Sequence, residues 1–200
     1  MKIAITAIAA IAGAATASPY FTAANGYQSV ASAPAGAALA TVTIDISGIE
    51  TWDEEGSAFN TVIGANLAAN AHVVGIGWDT NQIAGLDSGG ASWLSEMTIT
   101  FGDSAGPAVL FLTPSGTGAP GTESNSSGGI FDLTVSALDF FVGADGVLSM
   151  EFFESFVDQA GAAEGLFDQG SQLQIQYVVP APGALAMLGL GGLVAGRRRR

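Results

Sequence analysis

Eight acidic residues of this chain fall into three short clusters: Asp53-Glu54-Glu55, Asp139 with Asp145, and Asp158 with Glu164 and Asp168. Calcium takes carboxylate and carbonyl oxygens from loops, so loop acids at close spacing are its natural ligands. No lysine or arginine stands between residues 3 and 196 to compete for them. None of the three clusters has EF-hand spacing, and acids that only keep a protein soluble would be arranged no differently. Calcium at these eight positions is an expectation for geometry to judge.

Catalytic arrangements are sparser. Asp53, Glu54 and Glu55 follow Trp52, a combination that offers a sugar-stacking ring and an acid pair, the minimum for a carboxylate glycosidase. Adjacent acids after a strand are more often a solvated turn, and one domain of this size offers little cleft. His72, in "NAHVVGIGWD", is the single histidine, so any Ser-His-Asp triad would have to use it. No G-x-S-x-G nucleophile elbow accompanies it. One histidine and no cysteine leave a zinc site without its usual ligands and rule out thiol chemistry. The expectation is a protein that is not an enzyme. A calcium-dependent carbohydrate-binding module is the first alternative, and the glycosidase is the second.

The charge balance narrows the partners. Of 200 residues, 18 are acidic and five basic, giving a formal charge of −13. The bases are Lys2 and Arg197 to Arg200, all at the ends, so the body between them carries −18. Such a body repels phosphate backbones, which excludes nucleic acid as a partner. It must tolerate its own repulsion or have it screened. With about half its residues hydrophobic, the chain is too apolar for a disordered polyanion, and one folded domain is expected.

The elements that would position these residues alternate with a period of two. Val42, Ile44 and Ile46 face one way in "ATVTIDISG", against Thr41, Thr43, Asp45 and Ser47. Met97, Ile99 and Phe101 oppose Glu96, Thr98 and Thr100; Leu173, Ile175 and Tyr177 oppose Gln172, Gln174 and Gln176. These are half-buried antiparallel strands. Further strands are expected at 60–67, 72–78, 108–113, 130–135 and 147–154, separated by Gly- and Ser-rich loops at 87–90 and 113–129. The expected fold is all-β, an antiparallel β-sandwich or jelly roll. The one helical candidate, 155–167, is interrupted by Gly161 and Gly165. The strands at 147–154 and 172–178 enclose the acidic loop "SFVDQAGAAEGLFDQG" as a closing hairpin. With "LTPSG" upstream, this hairpin resembles the P-domain of proprotein convertases, a calcium-binding jelly roll. Asn125-Ser126-Ser127 matches an N-glycosylation sequon.

Both ends read as targeting segments. Lys2, the apolar run 3–15 and the small residues Ala15 and Ala17 fit a signal peptide cut before Ser18 by signal peptidase. Residues 18–40, rich in Ala and Ser, form a loose lead-in to a body that extends to residue 178. The tail from 179 to 200 holds Pro180-Ala181-Pro182, an apolar run from 183 to 196, and Arg197, Arg198, Arg199 and Arg200. At ~1.5 Å per helical residue the run is short for a ~30 Å hydrocarbon core, unless arginine stems add reach. The arginines are expected to remain cytoplasmic. The ordered triplet of proline motif, apolar helix and terminal arginines resembles the PEP-CTERM sorting signal of exported bacterial proteins, with Ala181 where the name motif has glutamate. That resemblance implies a C-terminal transmembrane helix held in the inner membrane, processing by an exosortase, delivery to the cell surface or matrix, and association with exopolysaccharide.

Overall fold

The computed structural model describes residues 37–86 and 91–180, and the backbones of two short strands nearer the N-terminus. The signal-cleavage residues Ala15, Ala17 and Ser18, and the tail from Ala181 onward, lie outside the described residues. Among the described residues no helix is long and apolar enough to cross a membrane.

The described residues are all-β, and every strand pairing among them is antiparallel. The strands in chain order are β1 (Ala4–Ala7), β2 (Tyr20–Thr22), β3 (Ala38–Asp45), β4 (Ile49–Thr51), β5 (Thr61–Asn66), β6 (His72–Ala84) and β7 (Met97–Asp103). They continue as β8 (Ala108–Thr113), β9 (Gly121–Ser126), β10 (Phe131–Asp132), β11 (Phe140–Phe141), β12 (Val147–Glu154), β13 (Gly165–Phe167) and β14 (Gln172–Val179). One sheet runs β2-β1-β8-β7-β12-β5; the other runs β3-β14-β6-β13-β4, with β9, β10 and β11 also on β6. A 3-10 turn at Thr134–Ser136 takes the place of the strand expected across 130–135, leaving only Phe131–Asp132 extended.

β6 organises the second sheet. β14 pairs with its first half and β13 with its last residues. The other edge is taken by β11, β10 and β9 in turn. At ~3.3 Å per residue β6 spans about 40 Å, so it reaches from one end of the molecule to the other. Its His72 end lies beside Val178, where β14 leaves the sheet. Its Ala84 end pairs with Gly165, which in turn pairs with Thr51.

The core between the sheets follows from the alternation. Leu148, Met150 and Phe152 from β12, Ile99 and Phe101 from β7, and Trp78, Leu173 and Ile175 from the other sheet are buried together. Phe152 meets Phe167 edge to face at 5.6 Å across the two layers. Burying each such side chain contributes about 1.5–3 kcal/mol. Val42 and Ile44 pack against this core as their spacing predicts.

Three expectations are corrected. The strands at 147–154 and 172–178 form no hairpin: β12 pairs with β5 and β7, while β14 pairs with β3 and β6 in the other sheet. The acidic loop between them therefore crosses the end of the sandwich. The segment 113–129 is not all loop, since β9 pairs with β6 there. Finally, a bulge between Gln176 and Tyr177 breaks the alternation, so Gln176 is buried although its spacing points it outward.

Candidate functional site

The Ala84 end of β6 gathers most of the acids. β12 ends in Glu154, and β13 begins just after Glu164; both glutamates are 0% exposed. Thr51 Oγ1 donates to Glu154 Oε1. Glu154 Oε2 has no hydrogen-bond partner. Glu164 accepts the backbone N–H groups of Gln159 and, at 3.2 Å, Asp158. Its own backbone N–H donates to the Thr51 carbonyl at 2.9 Å. Asp53 is buried too, and accepts Gly161 N–H at 2.9 Å and the Ser57 hydroxyl at 3.0 Å. Asp53, from one sequence cluster, thus meets Asp158 and Glu164, from another, around one loop, residues 155–164.

Burial first, then the neighbouring Glu164, Glu96 and Asp158 charges, push Glu154 up to about 8, with the Thr51 hydroxyl acting the other way. Burial also raises Glu96; the Trp93 N–H it accepts at 2.7 Å opposes this, and Asp158 and Glu164 add to it. No lysine or arginine stands among the described residues to pair with them. Gly165 explains how the carboxyl fits. A Cβ there would run into Thr51 Oγ1, with Met97 Cγ at 2.8 Å and Glu154 Oε1 at 2.9 Å.

Glu54 and Glu55 point elsewhere. Glu54 is exposed, and its carbonyl accepts Asn60 Nδ2–H at 2.8 Å. Glu55 lines a groove of about 270 Å³ on the outer face of the first sheet, together with Glu151, Asp103, Thr100, Ser149 and Val62. Glu151 Oε1 accepts Gly56 N–H at 2.6 Å and Asn60 Nδ2–H at 2.8 Å. Burial and the Glu151 charge raise Glu55. The groove presents acceptor oxygens and hydroxyls, which suit a neutral ligand rich in O–H groups and repel an anion. Trp52 stacks on Phe59 at 6.2 Å and 18°, and Phe59 is 60% exposed.

The remaining expected residues are scattered. Asp139 lies at the other end of β6, 2.6 Å from His72 Nε2. Phe141 stacks on the same imidazole at 4.2 Å. Asp145 is instead bound to the Ser104 hydroxyl and the Val147 N–H, which lower its pKa. Asp168 forms the turn between β13 and β14, donating its N–H to the Asn81 carbonyl at 2.7 Å. Among the described residues no group of three or more His, Asp or Glu side chains is placed to hold a metal ion. The sequon is closed in the fold. Asn125 is 2% exposed and its Nδ2–H donates to Gln82 Oε1 at 3.1 Å.

Glu154, Glu96 and Glu151 were not singled out by sequence. A signal for Glu154 exists: it continues the inward parity of Leu148, Met150 and Phe152. Comparison of the chain with family models, with curated proteins and with solved structures finds no match.

Proposed function

We propose that the chain is an exported, non-enzymatic surface or matrix protein, an acidic sandwich-like body displayed by a PEP-CTERM-like tail. The reading has residues 1–17 removed as a signal peptide, β1 with them, which leaves β8 at the edge of the first sheet. The tail then holds the inner membrane until an exosortase processes it, and exopolysaccharide is the companion material. What supports it in the fold is the position of the last strand among the described residues. β14 ends at Val179 with both edges occupied, by β3 and β6, and Pro180 after it is exposed. The body is therefore closed just where the proline motif begins. Two variants test the tail. Replacing Arg197 to Arg200 with serine removes the charges that resist translocation, and unprocessed protein is released. Replacing Pro180 and Pro182 with alanine leaves insertion intact, and unprocessed protein accumulates in the inner membrane. Fractionation with intact-mass measurement separates the two outcomes. If both variants reach the surface at the wild-type mature mass, the sorting reading falls.

The groove favours a second reading, a glycan-binding body. Its carboxylates and hydroxyls match sugar diols. Replacing Glu55 and Glu151 together with glutamine keeps the shape and removes the charge. On an array of neutral and acidic glycans, binding lost in this variant and unaffected by chelator identifies the groove. No wild-type binding at millimolar glycan ends this reading and leaves the first intact.

A further inference from the structure

We infer that Glu154 is a proton-held latch: as the neutral acid it lets the 155–164 loop close over the end of the sandwich, and its ionisation releases that loop. The latch works the same way however the protein is exported and whatever it binds.

The surroundings of the carboxyl decide this. Thr51 Oγ1 of β4 covers one oxygen, Met97 of β7 and the carboxyl itself fill the space where Gly165 of β13 would carry a side chain, and Oε2 has no partner. The titratable groups facing it are Glu164 before β13, Glu96 before β7 and Asp158 in the loop; Asp53 closes the loop from the β4 side. All are acids. A carboxylate enclosed this way has neither a cation nor a full set of donors, and each lack penalises the charged form. A protonated carboxyl removes most of that cost.

The loop is the part that can yield. Its residues are mostly exposed, Phe156 by 61%, and between its ends, where Ser155 N–H donates to the Glu96 carbonyl and Glu164 N–H to the Thr51 carbonyl, it is tied down by Gly161 N–H to Asp53 and by Asp158 and Gln159 N–H to Glu164. On the other sides Glu154 meets core strands of both sheets. An ionised Glu154 reaches water at least cost by displacing the loop, which also moves Asp158 and relieves repulsion. The ionisation is within reach of ordinary conditions. The folded carboxyl keeps its proton up to about 8, against 4.5 for an ordinary glutamate. Between those values the folded state binds more protons than the unfolded one, so stability falls as pH rises through the window.

The test is hydrogen exchange on the full chain from pH 6 to pH 9.5, with rates corrected for intrinsic base catalysis. In the wild type, corrected protection of 155–164 is expected to fall by up to about tenfold per pH unit from pH 6 to about pH 8 and to level off above it, while β6 and β12 stay protected. Glu154→Gln, which mimics the neutral acid, is expected to hold the loop closed across the range. His72→Gln, at the opposite end of β6, is expected to follow the wild type. Constant loop protection in the wild type overturns the proposal, and so does a Glu154→Gln variant that opens as the wild type does. Carboxyl carbon-13 titration of the wild type is a second measurement that needs no variant. A buried glutamate resonance titrating near pH 8 supports the latch; all glutamates titrating below pH 6 refute it.

Discussion

At the Ala84 end of β6, Glu154 and Glu164 are sealed from water with no basic side chain beside them. At the His72 end, Asp139 keeps about a quarter of its surface in water and meets the chain's single imidazole at 2.6 Å. The two ends show the choices open to a carboxylate in a body without lysine or arginine. It can stay wet beside histidine, as Asp139 does. It can collect N–H and O–H donors, as Asp53 and Glu164 do. Or it can keep its proton, as Glu154 does. The first costs little and contributes little. The last couples the packing of one end of the sandwich to pH, on the order of 5 kcal/mol for a shift of this size.

The comparison breaks most readily at Gly165. Gly165→Ala forces Thr51, Met97 or Glu154 to move, and is expected to destabilise the fold by about 2–4 kcal/mol at pH 6. Thermal unfolding measures it. If the displaced carboxyl reaches water, the fall in stability between pH 5 and pH 8.5 should shrink as well. An unchanged melting temperature would mean that this end is loosely packed and that the contrast is false. The smallest effect belongs to the other end. Asp139→Asn is expected to cost no more than ~1 kcal/mol, since a pair that keeps about a quarter of its surface in water contributes little. Denaturant melts at pH 6 check this, and a loss above ~2 kcal/mol, beyond what such surface pairs contribute, would place a structural centre at the His72 end instead.

How far the sequence carries can be seen along single strands. β12 is legible from "VLSMEFFE": Leu148, Met150 and Phe152 alternate inward and the structure keeps its bounds. The same parity leads on to Glu154, but an acid at an inward position reads as a strand end unless the partner strand is known. β9, "GTESNS", carries no apolar alternation at all. It is extended because β6 offers it an edge, and that pairing buries Asn125 and closes the sequon. β13 has three residues, too few for a pattern, and it exists because β6 and β4 flank it. Among the acids, local spacing grouped Asp53 with Glu54 and Glu55. The strand pairing Gly165↔Thr51 instead brings Asp53 to Gly161 and the loop before β13, 108 residues away in sequence.

The place of β14 has a mechanical consequence. It is the last strand among the described residues, it lies between β3 and β6, and it leaves the sheet at the His72 end. Antiparallel hydrogen bonds run perpendicular to the strands. A pull on the chain beyond Pro180, directed along β14, therefore loads the bonds on both its edges in shear, all at once, rather than peeling them one after another. The body resists tension from its C-terminal side along the whole length of that strand, and yields more easily to a pull across the sheet.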